Sequence, residues 1–173
     1  AALMNTPSGA FGSCRFKLKN LDENRREYER LIEVFKAHDI GYFFYNGGGD
    51  SADTCFKVSQ LSATLGFPVQ AIHIPKTVDN DLPITDNCPG FGSVAKYIAV
   101  SALEASFDVR SMAKTSTKVF VLEVMGRHAG WIAAAGGLIE DYGIPVLLLF
   151  PEIDFDHDRF IAAVQAKVEE FGY

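Results

Sequence analysis

The 173 residues carry 16 basic and 22 acidic side chains, a formal net charge of −6, and are 48% hydrophobic and 22% charged. That composition excludes a disordered chain, suffices for a domain with a core, and argues against nucleic acid as the main partner. No apolar run approaches the ~20 residues of a membrane span, and no signal-peptide layout opens the chain. Cys14, Cys55 and Cys88 are scattered without C-x-x-C pairing, so neither a disulfide framework nor a zinc site is expected, and the cytoplasm is the expected compartment. Ala1 opens the chain without a methionine, which reads as a segment cut from a longer protein.

Residues 6–19 form a Gly/Ser/Pro loop with a basic tail, able to present backbone N–H groups and the Arg15 guanidinium to an anion. Asn20 is placed to cap the following helix, with Glu23 as its capping-box partner, and Tyr28, Leu31, Ile32 and Phe35 keep the spacing of one buried face. Gly41 is expected to close that helix. The aromatic run 42–45 reads as a strand buried on both faces of a parallel sheet. After Gly47-Gly48-Gly49-Asp50-Ser51, a second helix is expected from Ala52 or Asp53, carrying Cys55, Val58, Leu61 and Leu65 inward and closing at Gly66.

Residues 69–74 read as the second strand. Beyond an acidic loop and a glycine-bearing turn, Ser93 is placed to cap a long helix with Val94, Ile98, Leu103 and Ala105 on one face. Residues 118–124 and 146–150 read as two further strands, separated by a small-residue helix over 131–137 that can pack closely on a sheet. Trp131 is expected in the core. Asp154 or Asp156 starts a last helix with Phe160, Ile161, Val164 and Val168 inward. This alternation predicts an α/β fold, a doubly wound, mostly parallel, Rossmann-like sheet with right-handed crossovers. There is no internal repeat and no low-complexity tract.

Chemistry concentrates in Pro75-Lys76-Thr77-Val78-Asp79-Asn80-Asp81, which follows a strand and so falls where open α/β sheets place their ligands. On an extended backbone Asp79 and Asp81 share a side. One can then serve as a base toward a hydroxyl while the other orients a metal or the substrate. Lys76 is suited to neutralising charge on a transferring phosphoryl group. The triple glycine before a helix can hold a phosphate, although a structural turn has the same pattern. Asp50 within it would repel a phosphate unless a cation intervenes or it is there to exclude something. Arg127, after another strand end, can clamp a phosphate bidentately. The glycine loop, the two acids and Arg127 are expected along one rim of the sheet.

Taken jointly, Gly47-Gly48-Gly49-Asp50-Ser51, the 75–81 motif, Pro89-Gly90-Phe91-Gly92 and Glu123-Val124-Met125-Gly126-Arg127 resemble the 6-phosphofructokinase family over about residues 9–152. Asp50 and Lys76 replace two glycines of the ATP-dependent pattern, so the chain resembles the pyrophosphate-dependent branch. The resemblance implies magnesium-dependent phosphoryl transfer from pyrophosphate to the 1-hydroxyl of fructose 6-phosphate, giving fructose 1,6-bisphosphate in a reversible glycolytic step. In it Asp79 is the base, Thr77 and Asp81 help hold sugar and metal, and Met125, Gly126 and Arg127 contact fructose 6-phosphate. Gly47, Gly48, Gly49 and Ser51 would hold the donor, with Arg15 near its phosphates. Asp50 would bind Mg2+, exclude ATP, or both. Lys118 stands where the family often has an arginine reaching a neighbouring subunit, which implies a homo-oligomer, dimer or tetramer.

Residues 1–115 are then the donor side, lacking its N-terminal part, and 116–173 the start of the sugar-phosphate side. Competing readings are an ATP-dependent phosphofructokinase or related sugar kinase, a lipid or NAD kinase, and a non-catalytic sugar-phosphate-binding fragment. The 75–81 motif discriminates against the lipid and NAD kinases, and retention of Asp79, Asp81 and Arg127 argues against lost catalysis.

Overall fold

The computed structural model describes residues 2–6 and 9–173; Ala1, and Pro7 and Ser8 of the expected anion-presenting loop, lie outside the described residues. The chain forms two compact units, one ending at Pro75 and the other running from Lys76 to Tyr173. Contacts therefore divide the chain at the start of the acidic motif.

The first unit contains a short 3-10 turn (Ala2–Asn5), then α1 (Leu21–Ala37), β1 (Tyr42–Gly47), α2 (Gly49–Thr64) and β2 (Gln70–Pro75). The two strands pair in parallel, from Tyr42 opposite Gln70 to Gly47 opposite Pro75. Tyr28, Ile32 and Phe35 are buried as the helical spacing requires and form a core with Leu18, Val58, Leu61 and Val69. Removing a side chain such as Ile32 or Val58 from water stabilises by about 1.5–3 kcal/mol. Ser62, wholly buried, accepts a hydrogen bond from Val69 N at 3.0 Å and ties α2 to the approach to β2.

Several local expectations change. Asn20 occupies the cap position of α1 without a side-chain hydrogen bond; Asn24 Oδ1 instead accepts from Lys19 N at 2.8 Å. Glu23 reaches Lys19 Nζ at 3.1 Å. α1 ends before Gly41, the chain turning through Asp39 at φ +52. β1 is half-buried on one face only: Phe43 packs between the tilted ring of Phe35 and the stacked ring of Tyr45, while Tyr42 and Phe44 are exposed. Gly66, at φ +70 beyond the last turn of α2, is the expected helix stop.

The second unit holds α3 (Phe91–Met112), α4 (Trp131–Gly136), a 3-10 turn (Gly137–Tyr142) and α5 (His157–Phe171). α3 starts two residues before Ser93, and Gly90, at φ +88, takes the cap position. Asp156 caps α5, accepting from Arg159 N at 2.9 Å, but no residue of that helix is fully buried and Ile161 is exposed. α4 packs against α3. A Cβ on Gly137 would lie 2.9 Å from Leu148 Cδ1, so the small residues do permit close packing. Trp131 is exposed rather than core, its ring edge-on to Phe91 with centroids 6.4 Å apart.

Residues 118–124 and 146–150 form no ladder, so among the described residues the sheet has two strands rather than the expected four. Pairing requires neighbours about 4.8 Å apart with side chains filling both faces. Here a cavity of about 570 Å3 opens along both segments, bordered by Ile98, Val109, Val121, Leu122, Ile144 and Val164. Val119, Phe120, Val121 and Leu122 remain exposed. The fold is α/β with a parallel sheet, as expected; its extent is smaller.

Candidate active site

In the first unit the glycine run is a direct passage from strand to helix. β1 ends at Gly47, Gly48 is the cap, and α2 begins at Gly49, three or four residues earlier than the sequence implies. Glycine's poor helix propensity hides that first turn. Gly47 is buried, and a Cβ there would lie 2.0 Å from Ser51 Oγ and 2.5 Å from Ser51 Cβ. The amides of Ser51 and Ala52 both donate to the Gly48 carbonyl, at 3.0 and 3.1 Å. From β2, His73 Nε2 donates to the Gly47 carbonyl at 2.9 Å, which fixes the proton on Nε2. Asn46 Nδ2 donates to the Ile74 carbonyl at 3.2 Å, so two side chains lock the strand ends beneath the turn.

Asp50 sits in the first turn of α2, where a negative charge suits the helix dipole. Lys17 Nζ lies 2.8 Å from its Oδ1, with the two side chains 64% and 71% exposed. So exposed a pair contributes only about 0–1 kcal/mol. Its consequence is chemical: the loop after Arg15 brings a cation to the carboxylate at the helix start. Arg15 is exposed and makes no ion pair among the described residues.

In the second unit the acidic motif is turned, not extended. Val78 and Asp79 form a turn, Thr77 Oγ1 accepts from Asp79 N at 3.1 Å, and Asn80 takes φ +57. The expected alternation that would set Asp79 and Asp81 on one side therefore does not apply. Asp81 and Lys76 are exposed, whereas Asp79 is half-buried and its Oδ1 is wholly buried with no hydrogen-bond partner among the described residues. A buried polar atom without a partner costs about 1–3 kcal/mol, more when charged, and calls for a functional account.

The turn at 125–127 depends on Gly126, at φ +109, because a Cβ there would lie 2.3 Å from the Ala129 carbonyl oxygen. Met125 and Arg127 are exposed on either side, and Arg127 makes no ion pair among the described residues. Gly130 N donates to Glu152 Oε1 at 2.7 Å, tying the start of α4 to the 150–152 segment. Lys118 Nζ donates to the Ala113 carbonyl at the end of α3, so its ammonium is engaged within the unit. Among the described residues no group of three or more His, Cys, Asp or Glu gathers to hold a metal. Single carboxylates remain, a set compatible with Mg2+, which takes one or two carboxylates together with substrate phosphates.

The sequence profile described as Phosphofructokinase matches residues 1–172. The chain belongs to the phosphofructokinase family. It is 76% identical, over its whole length, to the pyrophosphate–fructose 6-phosphate 1-phosphotransferase of Methylococcus capsulatus and 70% identical to that of Halomonas elongata. The crystal structure of the pyrophosphate-dependent phosphofructokinase from Nitrosospira multiformis superposes with a TM-score of 0.85 at 78% identity, covering 99% of the chain. The chain spans 42% of the length of each of these proteins.

Within this phosphofructokinase chain, the residues that sequence reasoning missed are those that hold the others. Lys17, His73 and Glu152 each act across more than twenty residues of chain, which no short motif announces, while Asn80 sits inside the 75–81 motif, which assigns it no role of its own. A signal existed for Asn80 alone, since asparagine is enriched at left-handed positions. Cys55 on α2 has its thiol pKa pushed up by burial, which disfavours the reactive thiolate.

Proposed function

We propose that the full-length protein transfers a phosphoryl group from pyrophosphate to the 1-hydroxyl of fructose 6-phosphate, giving fructose 1,6-bisphosphate. The step is reversible, magnesium-dependent, cytoplasmic and part of glycolysis. The observation that carries the reading is the buried, partnerless Asp79 Oδ1 in a phosphofructokinase-family chain. Relatives 70% and 76% identical, named for this transfer, support the choice of donor.

Asp79 accepts the hydroxyl proton as the sugar oxygen attacks phosphorus. The new O–P bond forms while the bridging P–O bond of pyrophosphate breaks and phosphate leaves. Thr77 accepts from Asp79 N and so keeps its own O–H to donate to the sugar, and Asp81 helps to orient it. Lys76 offsets charge on the transferring group. Arg127, with Met125 and Gly126, holds the sugar phosphate as a fork, and Lys118 supplies further positive charge. Gly47, Gly48, Gly49, Ser51 and Arg15 bind the donor phosphates. Mg2+ would be held by donor oxygens and by Asp50, where it would neutralise charge on pyrophosphate.

Initial rates of the full-length parent with pyrophosphate and with ATP test the reading. Turnover with pyrophosphate is expected; turnover with ATP alone refutes the donor assignment. Asp79→Ala should lower kcat by ~10²–10⁴-fold, the usual contribution of a positioned base. Unchanged kcat removes Asp79 from the chemistry.

A further inference from the structure

Asn80 lies between the two acids and is the most buried of the three. It is 7% exposed, in a segment whose neighbour Asp81 is on the surface. Its Oδ1 accepts from Cys88 N at 2.8 Å and its Nδ2 donates to the Asp86 carbonyl at 3.3 Å. Both partners are backbone groups six and eight residues on, so one side chain closes the whole 80–88 loop. Cys88 is itself 1% exposed, and its carbonyl accepts from Phe91 N, the first residue of α3, at 3.1 Å. The clasp therefore reaches from the acidic motif to a 22-residue helix.

A second contact joins the same two places. Gly90, at φ +88, approaches Val78 so closely that a Cβ would lie 3.2 Å from Val78 Cγ1. The residues on either side of Asp79 are thus both tied to the segment that starts α3, Val78 by packing and Asn80 by hydrogen bonds. The Asp79 amide donates to Thr77 Oγ1, and its Oδ1 has no partner among the described residues. A carboxylate kept unpartnered cannot be oriented through its own hydrogen bonds, so its direction is set by the backbone that carries it.

We infer that Asn80 is a positioning residue for the proposed base. Its left-handed φ of +57 makes the bend that separates Asp79 from Asp81, and its two hydrogen bonds hold that bend against α3. The clasp keeps Asp79 Oδ1 buried and aimed without occupying it. This rests on the proposed role of Asp79 and adds what holds it in place.

The test uses the full-length parent and three readouts: kcat, KM for each substrate, and melting temperature. Asn80→Gly accepts the left-handed φ freely but removes both hydrogen bonds. A misplaced reacting group costs up to ~10²-fold, so kcat is expected to fall by ~10–100-fold. KM for pyrophosphate and fructose 6-phosphate should change by less than ~3-fold, because binding groups elsewhere are untouched. A role confined to stability would lower the melting temperature and leave kcat below it unchanged; that result overturns the inference.

Asn80→Asp keeps the acceptor for Cys88 N and the tolerance of left-handed φ, and should retain more kcat than Asn80→Gly. If Asn80→Gly does not fold, Asn80→Asp decides alone. A fall in kcat at constant KM upholds the clasp; a rise in KM for the anionic substrates without a fall in kcat, the mark of added charge only, overturns it. Failure of the proposed reaction is distinguishable, because it would appear as an unsubstituted parent inactive with pyrophosphate.

Discussion

Gly47 is the position where the proposed donor turn can be tested by a single methyl group. In Gly47→Ala the new Cβ would stand 2.0 Å from Ser51 Oγ and 2.5 Å from Ser51 Cβ. Rotating the serine hydroxyl away relieves the first contact but not the second, since Cβ is fixed to the helix backbone. Carbon atoms pack at about 3.5–4.0 Å, so the start of α2 must move by roughly 1 Å. Overpacking of this kind costs about 1–3 kcal/mol. Ser51→Gly removes both clashing atoms at a helix cost of about 0.5–1 kcal/mol.

Urea unfolding of the full-length parent, the two single variants and the double variant completes the cycle. The double variant should be more stable than the sum of the single effects predicts, by about 1–2 kcal/mol. The KM for pyrophosphate should rise in Gly47→Ala, and in the double variant it should fall back no further than the level of Ser51→Gly, which lacks a donor-binding hydroxyl. Additivity within ~0.5 kcal/mol, the behaviour of independent sites, would refute the close approach of strand end and helix start.

Asp50→Gly combined with Lys76→Gly should shift donor preference toward ATP. Two charges about 4 Å apart repel by about 4 kcal/mol at an effective dielectric of ~20 but only about 1 kcal/mol in water. Because the Asp50 side chain is 71% exposed, the change in the ratio of kcat/KM values belongs near the lower figure, about 5–10-fold. An unchanged ratio means that the pair does not select the donor. Tyr28 gives a pH effect: burial raises its pKa above 10.0, with Lys57 opposing and Asp53 reinforcing. The stabilisation from its neutral hydroxyl is present below pH 10 and is lost as pH rises through the folded-state value. Tyr28→Phe should flatten the alkaline limb of a stability–pH curve while losing the 2.8 Å bond to the Lys19 carbonyl; an unaltered limb assigns the alkaline loss to other groups.

Much of the first unit was legible because its signals are local and periodic. Tyr28, Ile32 and Phe35 repeat at helical spacing and are buried together, and Gly66 stops α2 where a left-handed residue is needed. Asp156 caps α5 as its place in the sequence suggests. The helical start within the glycine run was hidden because propensity opposes it. The 118–124 and 146–150 segments have strand composition, but composition does not supply a neighbour to pair with. Asp79 was found by its motif and misplaced by its period: one asparagine in the left-handed region ends the alternation on which the paired-carboxylate geometry relied. Lys17 with Asp50, His73 with Gly47 and Gly130 with Glu152 lie 33, 26 and 22 residues apart, separations that only tertiary folding bridges.

Val119, Phe120, Val121 and Leu122 form an uncharged, β-prone run that is exposed and makes no ladder. Such a run is a template for strand addition by any other chain bearing the same segment. Expressed as these 173 residues alone, the polypeptide is therefore expected to recruit chaperones and to aggregate with rising concentration. A charge introduced at Val121, the most exposed of the four at 77%, would act as a gatekeeper and raise its solubility.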